Sequence, residues 1–324
     1  MSGAKGPAPD LPGFTFTESI GGGGFADVFL FTQHSTGRPV AVKVLRAEHL
    51  SAASLGQFQV EANVMAGVSA HPYIVTIHDA GVAPDGRPYI VMEHYPQPHF
   101  GIRSRGGRLG VAEVLKLAVQ IACAVETAHR ASILHRDIKP ANVLTSAFGD
   151  PGLTDFGIAG VQADDGVTAA GGVSLGFAAP EVVLDEHATG SVSSDVYSLA
   201  ATVYALLTGH SPVFVPGGDN SPGVITQRIA QGTTVPLTRA DVPRSFQHLL
   251  NAALAADPAH RPDRAVSFAQ AVQDVEQELR LPATPLVLVG PSSPAARIER
   301  SADDDEGTRR KPRVVSVDGA PAPA

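Results

Sequence analysis

The chain has 324 residues, 44% of them hydrophobic and 17% charged, enough for a full globular core in one bilobal domain or two small ones. Its formal charge of −8 argues against a general nucleic-acid surface, because a protein that binds a polyanion needs a basic excess. The lone Cys123 excludes an intramolecular disulfide and any multi-cysteine metal site, which suits a cytoplasmic protein, and no run reaches the roughly 18–20 apolar residues of a membrane helix.

Residues 1–13 are rich in Gly and Pro, lack the apolar core of a signal peptide and are expected to be disordered. From Phe14 to about Met92, short apolar runs (VFLF, VAVKVL, IVTIHDA, YIVME) separated by turn residues read as strands. One helix interrupts them from about Ala52 to Val68, with Leu55, Phe58, Ala62 and Met65 at intervals of three and four. After Pro96 helices dominate. Val111, Leu115, Ala118, Ala122, Val125 and Ala128 form one stripe, and SDVYSLAATVYALLTG is apolar nearly all round, the mark of a buried helix. Beyond about Leu281 the composition is that of a linker or disordered tail, with an acidic patch (Asp303–Glu306) beside a basic one (Arg309–Arg313). A β-rich half thus precedes a larger helical half, with no alternating βαβ array.

Within the first half, IGGGGFADVF (Ile20, Gly21, Gly22, Gly23, Gly24, Phe25, Ala26, Asp27, Val28, Phe29) is built for close approach of backbone to a phosphate, since glycine has no Cβ. Gly21, Gly23 and Ala26 satisfy a dinucleotide fingerprint, with Glu48 near the place of a ribose-binding acid. The same residues with Val28 satisfy the loop that covers ATP in protein kinases, Ala26 replacing the third glycine. A ligand-free turn is the bland alternative, and the loop alone does not decide. VAVK then places Lys43 at the end of a strand, and Glu61 on the following helix supplies an opposite charge able to orient that ammonium. ILHRDIKPANVL places a carboxylate at Asp137, an ammonium at Lys139 and an amide at Asn142 on a segment fixed by Pro140. LTDFGIAG follows with Asp155, Phe156 and Gly157, then FAAPEVV with Glu181, SSDVYSLA with Asp195 and DPAHRPDRA with Arg261.

In order and spacing, residues 14–281 resemble a eukaryotic-like (Hanks-type) serine/threonine protein kinase of bacteria, and AVETAHRASILHRDIKPANVL is similar to the actinobacterial branch. The resemblance implies an α+β, bilobal protein kinase fold: a small lobe (14–95) of antiparallel sheet with one helix, a mainly helical larger lobe (96–281), and a disordered tail over 282–324. On this reading the Glu48 match is accidental. The resemblance implies ATP and Mg²⁺ (or Mn²⁺) as cofactors and protein Ser/Thr hydroxyls as acceptors. Lys43, paired with Glu61, would hold the α- and β-phosphates; Asp155 and Asn142 would bind metal; Asp137 would orient the acceptor hydroxyl and take its proton; Lys139 would stabilise charge on the transferring phosphoryl group. Adenine would lie between Val28 and Ala41 on one side and Leu144 on the other, with the Glu93–Tyr95 backbone at its edge, Met92 as gatekeeper and the glycine loop from Ile20 to Ala26 over the phosphates.

Other positions are implied to be structural or regulatory. Met65, Ile77, His135 and Phe156 match a stack that forms only in active kinases, anchored by Asp195, and Glu181 and Arg261 match a buried ion pair. Arg136 would contact a phosphorylated activation loop, where Thr168 is the expected autophosphorylation site and Ser174 the contact to the catalytic residues. Three positions depart from the pattern: Ala26, Ala141 where basophilic kinases carry a glutamate, and His99 near another acidic position. Together the last two imply no strong demand for arginine before the acceptor. Arg103, Arg105 and Arg108 read as solvated surface, with a docking patch for an acidic segment as the alternative. Dimerisation through the back of the small lobe is implied by similar kinases and by no residue here. A pseudokinase scaffold would lack at least one of Lys43, Asp137, Asn142 or Asp155. A small-molecule phosphotransferase of related fold would lack the APE segment and its distant arginine.

Overall fold

The computed structural model describes residues 6–23, 26–50, 52–106, 109–156, 175–185 and 187–290. Its first half is an antiparallel sheet of β1 (Phe14–Gly22), β2 (Ala26–Gln33), β3 (Pro39–Leu45), β4 (Ile77–Val82) and β5 (Pro88–Glu93), in the order β1-β2-β3-β5-β4. The two-residue period of a strand gives this sheet two different faces. Val40, Val42 and Val44 of β3 join Phe29, Phe31 and Val91 in an outer apolar layer. Ala41, Lys43 and Leu45 therefore fall on the other face, where α1 (Ala52–Val68) packs through Phe58 and Ala62 against Leu45 and Ile90.

The second half contains α2 (Phe100–Gly106), α3 (Val111–Arg130), the hairpin β6 (Val143–Thr145) and β7 (Pro151–Leu153), and then α4 (Pro180–Leu184), α5 (Val192–Thr208), α6 (Pro222–Ala230), α7 (Arg244–Ala253) and α8 (Ala265–Glu278). Helix α5 is buried from Ser194 to Leu207, as its all-round apolar composition requires. Its start is fixed by a reciprocal capping box between Ser191 and Ser194, and its end by Gly209 at φ 84°. Helix α3 is covered more completely than its stripe predicts, because α5, α8 and β7 all pack on it. No described helix is long and apolar enough to cross a membrane.

Two boundaries differ from the sequence reading. Of the segment expected to be disordered at 1–13, residues 6–13 are described, and Leu11, 2% exposed, inserts beside Phe29, Phe31 and Val40 on the outer face of the sheet. The Gly6 N–H donates to Asp27, whose carboxylate is buried against Arg46 at 2.8 Å. A sheet face lined with aromatic rings must be covered, and this short Pro-rich segment covers it. Leu11→Ala is expected to destabilise the protein by about 2 kcal/mol, the low end for a buried leucine because a short segment lying on the outer face of the sheet relaxes readily; the denaturation midpoint measures it. At the other end, residues 282–290 pack against the helical lobe, with Thr284 buried and Leu286 and Leu288 against its core. The expected tail therefore holds an ordered stretch before residues 291–324, which lie outside the described residues.

Candidate active site

The glycine-rich stretch forms the tip of the β1–β2 hairpin. Gly21 and Gly22 still pair with Val28 and Asp27, and Gly23 N–H donates to the Ala26 carbonyl at 2.9 Å. Gly24 and Phe25 lie outside the described residues. Beneath the hairpin, cross-strand register sets Val28 opposite Lys43 and Ala41 opposite Met92. Ala41, Val75 and Met92 form a small apolar cluster joined by Ile20, Val28, Tyr95 and Leu144. This cluster gathers Val28, Ala41, Met92, Tyr95 and Leu144, which the sequence assigns to adenine, from β2, β3, β5, the segment after it and β6, with Ile20 of β1 beside them. Val75 is an addition that no motif marked. Glu93 ends β5, and its N–H donates to the Thr76 carbonyl. The Tyr95 ring lies so close to Gly152 of β7 that a Cβ there would stand 2.4 Å from it. Burial, followed by Glu93 and Asp150, raises the pKa of its phenol.

The HRD and DFG segments face this pocket from the large lobe. Lys139 Nζ donates to Asp137 Oδ2 at 2.7 Å, and Asn142 Nδ2 donates to the same oxygen at 3.0 Å and to the Asp137 carbonyl at 2.8 Å. With its amide nitrogen engaged by Asp137, Asn142 has its carbonyl oxygen as the remaining ligating atom. Lys43 Nζ donates to Asp155 Oδ1 at 3.0 Å. Burial raises the Asp155 pKa, but the Lys43 ammonium, through its charge and its hydrogen bond, outweighs it and holds the carboxyl below its usual range. Glu61 lies on α1, and its side chain is outside the described residues. The structure thus brings Lys43, Asp137, Lys139, Asn142 and Asp155 into one cleft.

Two of these segments are held in unusual backbone. Arg136 has φ 66° and Asp155 φ 60°, a left-handed conformation that costs a non-glycine residue about 1–3 kcal/mol. Buried Asp195 holds the first: Oδ2 accepts from the His135 N–H at 2.7 Å and Oδ1 from the Arg136 N–H at 2.8 Å. Its Oδ2 also accepts from His129 Nε2 at 2.8 Å. No motif marked His129, although a histidine on an otherwise buried helix face requires a polar partner. The second is held by the buried His135 ring, whose Nε2 donates to the Thr154 carbonyl at 3.0 Å and whose face meets Phe156 at a 4.5 Å centroid distance. Burial lowers the His135 pKa, which favours the neutral ring. Met65 and Phe156 are buried in one cluster, with Ile77 packed at its edge.

Farther out, Arg261 makes a bidentate pair with Glu181 at 2.7 and 2.8 Å. Arg136 is exposed, its side chain near Gly190. Gly157, Thr168 and Ser174 lie outside the described residues, as does Arg108. The half-buried His99 has a pKa lowered by burial and by nearby Arg105, while Arg103 pairs with Glu113 at 2.7 Å.

A family model described as protein kinase domain matches residues 14–275. The chain is 40% identical over 281 residues to the serine/threonine-protein kinase PknK of Mycobacterium tuberculosis, covering 83% of this chain and 25% of that protein. It is 34% identical over 271 residues to PknA of the same species, covering 81% of this chain and 61% of PknA. Against PknJ of Mycobacterium bovis it is 33% identical over 267 residues, 80% of this chain and 44% of that one. The chain therefore spans about a quarter of the length of PknK. With a sheet lobe, a helical lobe and a cleft that joins the HRD and DFG segments, the chain belongs to the protein kinase domain family, in its bacterial Hanks-type serine/threonine branch.

Proposed function

We propose that this chain is an ATP-dependent serine/threonine protein kinase that also phosphorylates its own activation loop at Thr168. The observation that carries the proposal is the convergence of Lys43, Asp155, Asp137, Lys139 and Asn142 in one cleft, with Phe156 buried against His135. Phosphoryl transfer asks a protein to position groups and offset charge rather than to form bonds of its own. In this proposal Lys43, next to Asp155, meets the phosphates of a nucleotide seated against Val28, Ala41 and Leu144. Asp137 accepts the proton of the incoming hydroxyl, and the Lys139 ammonium, 2.7 Å from it, offsets charge on the group in flight.

Kinases use a divalent metal, and the donor set suits Mg²⁺. One carboxylate from Asp155 and one amide oxygen from Asn142 are hard ligands, and a small cation takes its remaining ligands from phosphate oxygens and water. The bound ion would supply neutralisation of phosphate charge. Asp155, whose Oδ1 meets Lys43, would offer its other oxygen to the ion, and Glu61 on α1 is the acid proposed to pair with Lys43. The exposed Arg136 is the proposed partner of phosphorylated Thr168, through charge-assisted hydrogen bonds.

Incubating the chain with Mg²⁺ and γ-labelled ATP beside a Lys43→Met variant tests this proposal. Label on the wild type alone, with Thr168 among the sites mapped by mass spectrometry, is the expected result. Bound ATP without label on either would favour a scaffold instead.

A further inference from the structure

The stretch after α8 is tied down at every second or third residue. Glu276 on α8 is 2% exposed, and both its oxygens are taken by one residue: the Thr284 N–H donates to Oε2 at 2.7 Å and the Thr284 hydroxyl to Oε1 at 2.5 Å. Gln273 Nε2 donates to the Thr284 carbonyl at 2.7 Å. Leu286 and Leu288 then pack against the core of the large lobe, and the Val289 N–H approaches the Thr127 hydroxyl on α3 at 3.4 Å. Between those leucines the Val287 carbonyl accepts from Nε2 of His71 at 2.9 Å.

His71 stands in the loop between α1 and β4 and is 1% exposed. A carbonyl partner fixes the proton on Nε2, so Nδ1 is an acceptor, and it takes the Tyr73 N–H at 3.1 Å. The next residues run beside β7: the Leu153 N–H donates to the Tyr73 carbonyl at 2.8 Å and the Val75 N–H to the Leu153 carbonyl at 3.0 Å. Leu153 is two residues before Asp155, and Val75 belongs to the apolar cluster with Ala41 and Met92 that is proposed to seat adenine. A line of hydrogen bonds thus runs from the strap through His71 and Tyr73 to Val75 and to Leu153, two residues short of Asp155.

We propose that residues Thr284–Val289 are a positioning strap, and His71 the positioning residue through which it acts: together they set Tyr73–Val75 against β7 and thereby the placement of Asp155. The kinetic half of the proposal rests on the reading of Asp155 as a residue of the transfer site. The geometric half does not.

The test uses the full chain with Leu286→Asp, which expels the strap from its apolar seat, with His71→Phe, which keeps a ring but neither hydrogen bond, and with both. Hydrogen exchange over Pro151–Phe156 is expected to rise about tenfold in each single variant. Transfer from ATP to dephosphorylated casein, measured well below each melting temperature, is expected to lose about tenfold in kcat with KM for casein unchanged. The double variant should match either single one, since both break the same line. Exchange unchanged at 151–156, or losses that multiply, would overturn the strap even if every variant melts earlier. If Leu286→Asp does not fold, Leu286→Ala serves in its place with the same expected direction. A wild type that transfers nothing, with exchange still raised in the variants, would count against the kinase reading and leave the strap standing.

Discussion

Asp137→Asn is expected to lower the rate of phosphoryl transfer by about 10²–10⁴-fold, the usual contribution of a positioned general base, with little change in affinity for ATP. The reason lies in how the carboxylate is held. Its Oδ2 receives hydrogen bonds from Lys139 and Asn142, which fix the group without consuming its other oxygen. Asparagine keeps the size of the side chain and one acceptor oxygen, so the loop retains its shape. It loses the negative charge proposed to draw the proton from the incoming hydroxyl. Initial rates beside a fluorescent-nucleotide titration separate the two effects. Transfer within tenfold of wild type would remove Asp137 from the role of base, and a parallel loss of nucleotide affinity would place it in binding instead.

Arg261→Ala is expected to act on stability, by about 3–5 kcal/mol, because it strands a partner of a largely buried ion pair. The arginine side chain is 0% exposed and that of Glu181 31%. Beyond Glu181, the guanidinium donates to the carbonyls of Ala255, Ala256 and Ser193 and stands over the Tyr197 ring at 5.0 Å. One side chain therefore joins α4, the start of α5 and the turn after α7, and its removal takes the donor from the Glu181 carboxylate and from three backbone carbonyls at once. A drop in melting temperature on the order of 10 °C should accompany it. Per folded molecule, kcat should change little, because no atom of Arg261 contacts Asp137 or Asp155. An unchanged melting temperature with lost transfer would contradict this assignment.

The chemistry-bearing segments were legible in the sequence because each depends on residues close together along the chain. Asp137, Lys139 and Asn142 share one short loop, and a strand's two-residue period dictates that Lys43 and Ala41 share a face while Val40 and Val42 share the other. The buried state of α5 was legible for the same reason, since an apolar surface on every side leaves no face for water. The remainder depends on contacts between residues far apart in the chain. His129 and His135 meet Asp195 from some 60 residues away, and the left-handed backbone of Arg136 and Asp155 is imposed by such partners rather than by local preference. Composition assigned both ends of the chain to disorder, because Gly- and Pro-rich segments with few apolar residues cannot build a core of their own. They have no need to: Leu11 finds an aromatic sheet face already formed, Leu286 and Leu288 pack against the core of the large lobe, and Thr284 meets the buried Glu276 carboxylate on α8. Whether a short segment is ordered depends on the surface it meets, and that surface is assembled from residues distant in the sequence.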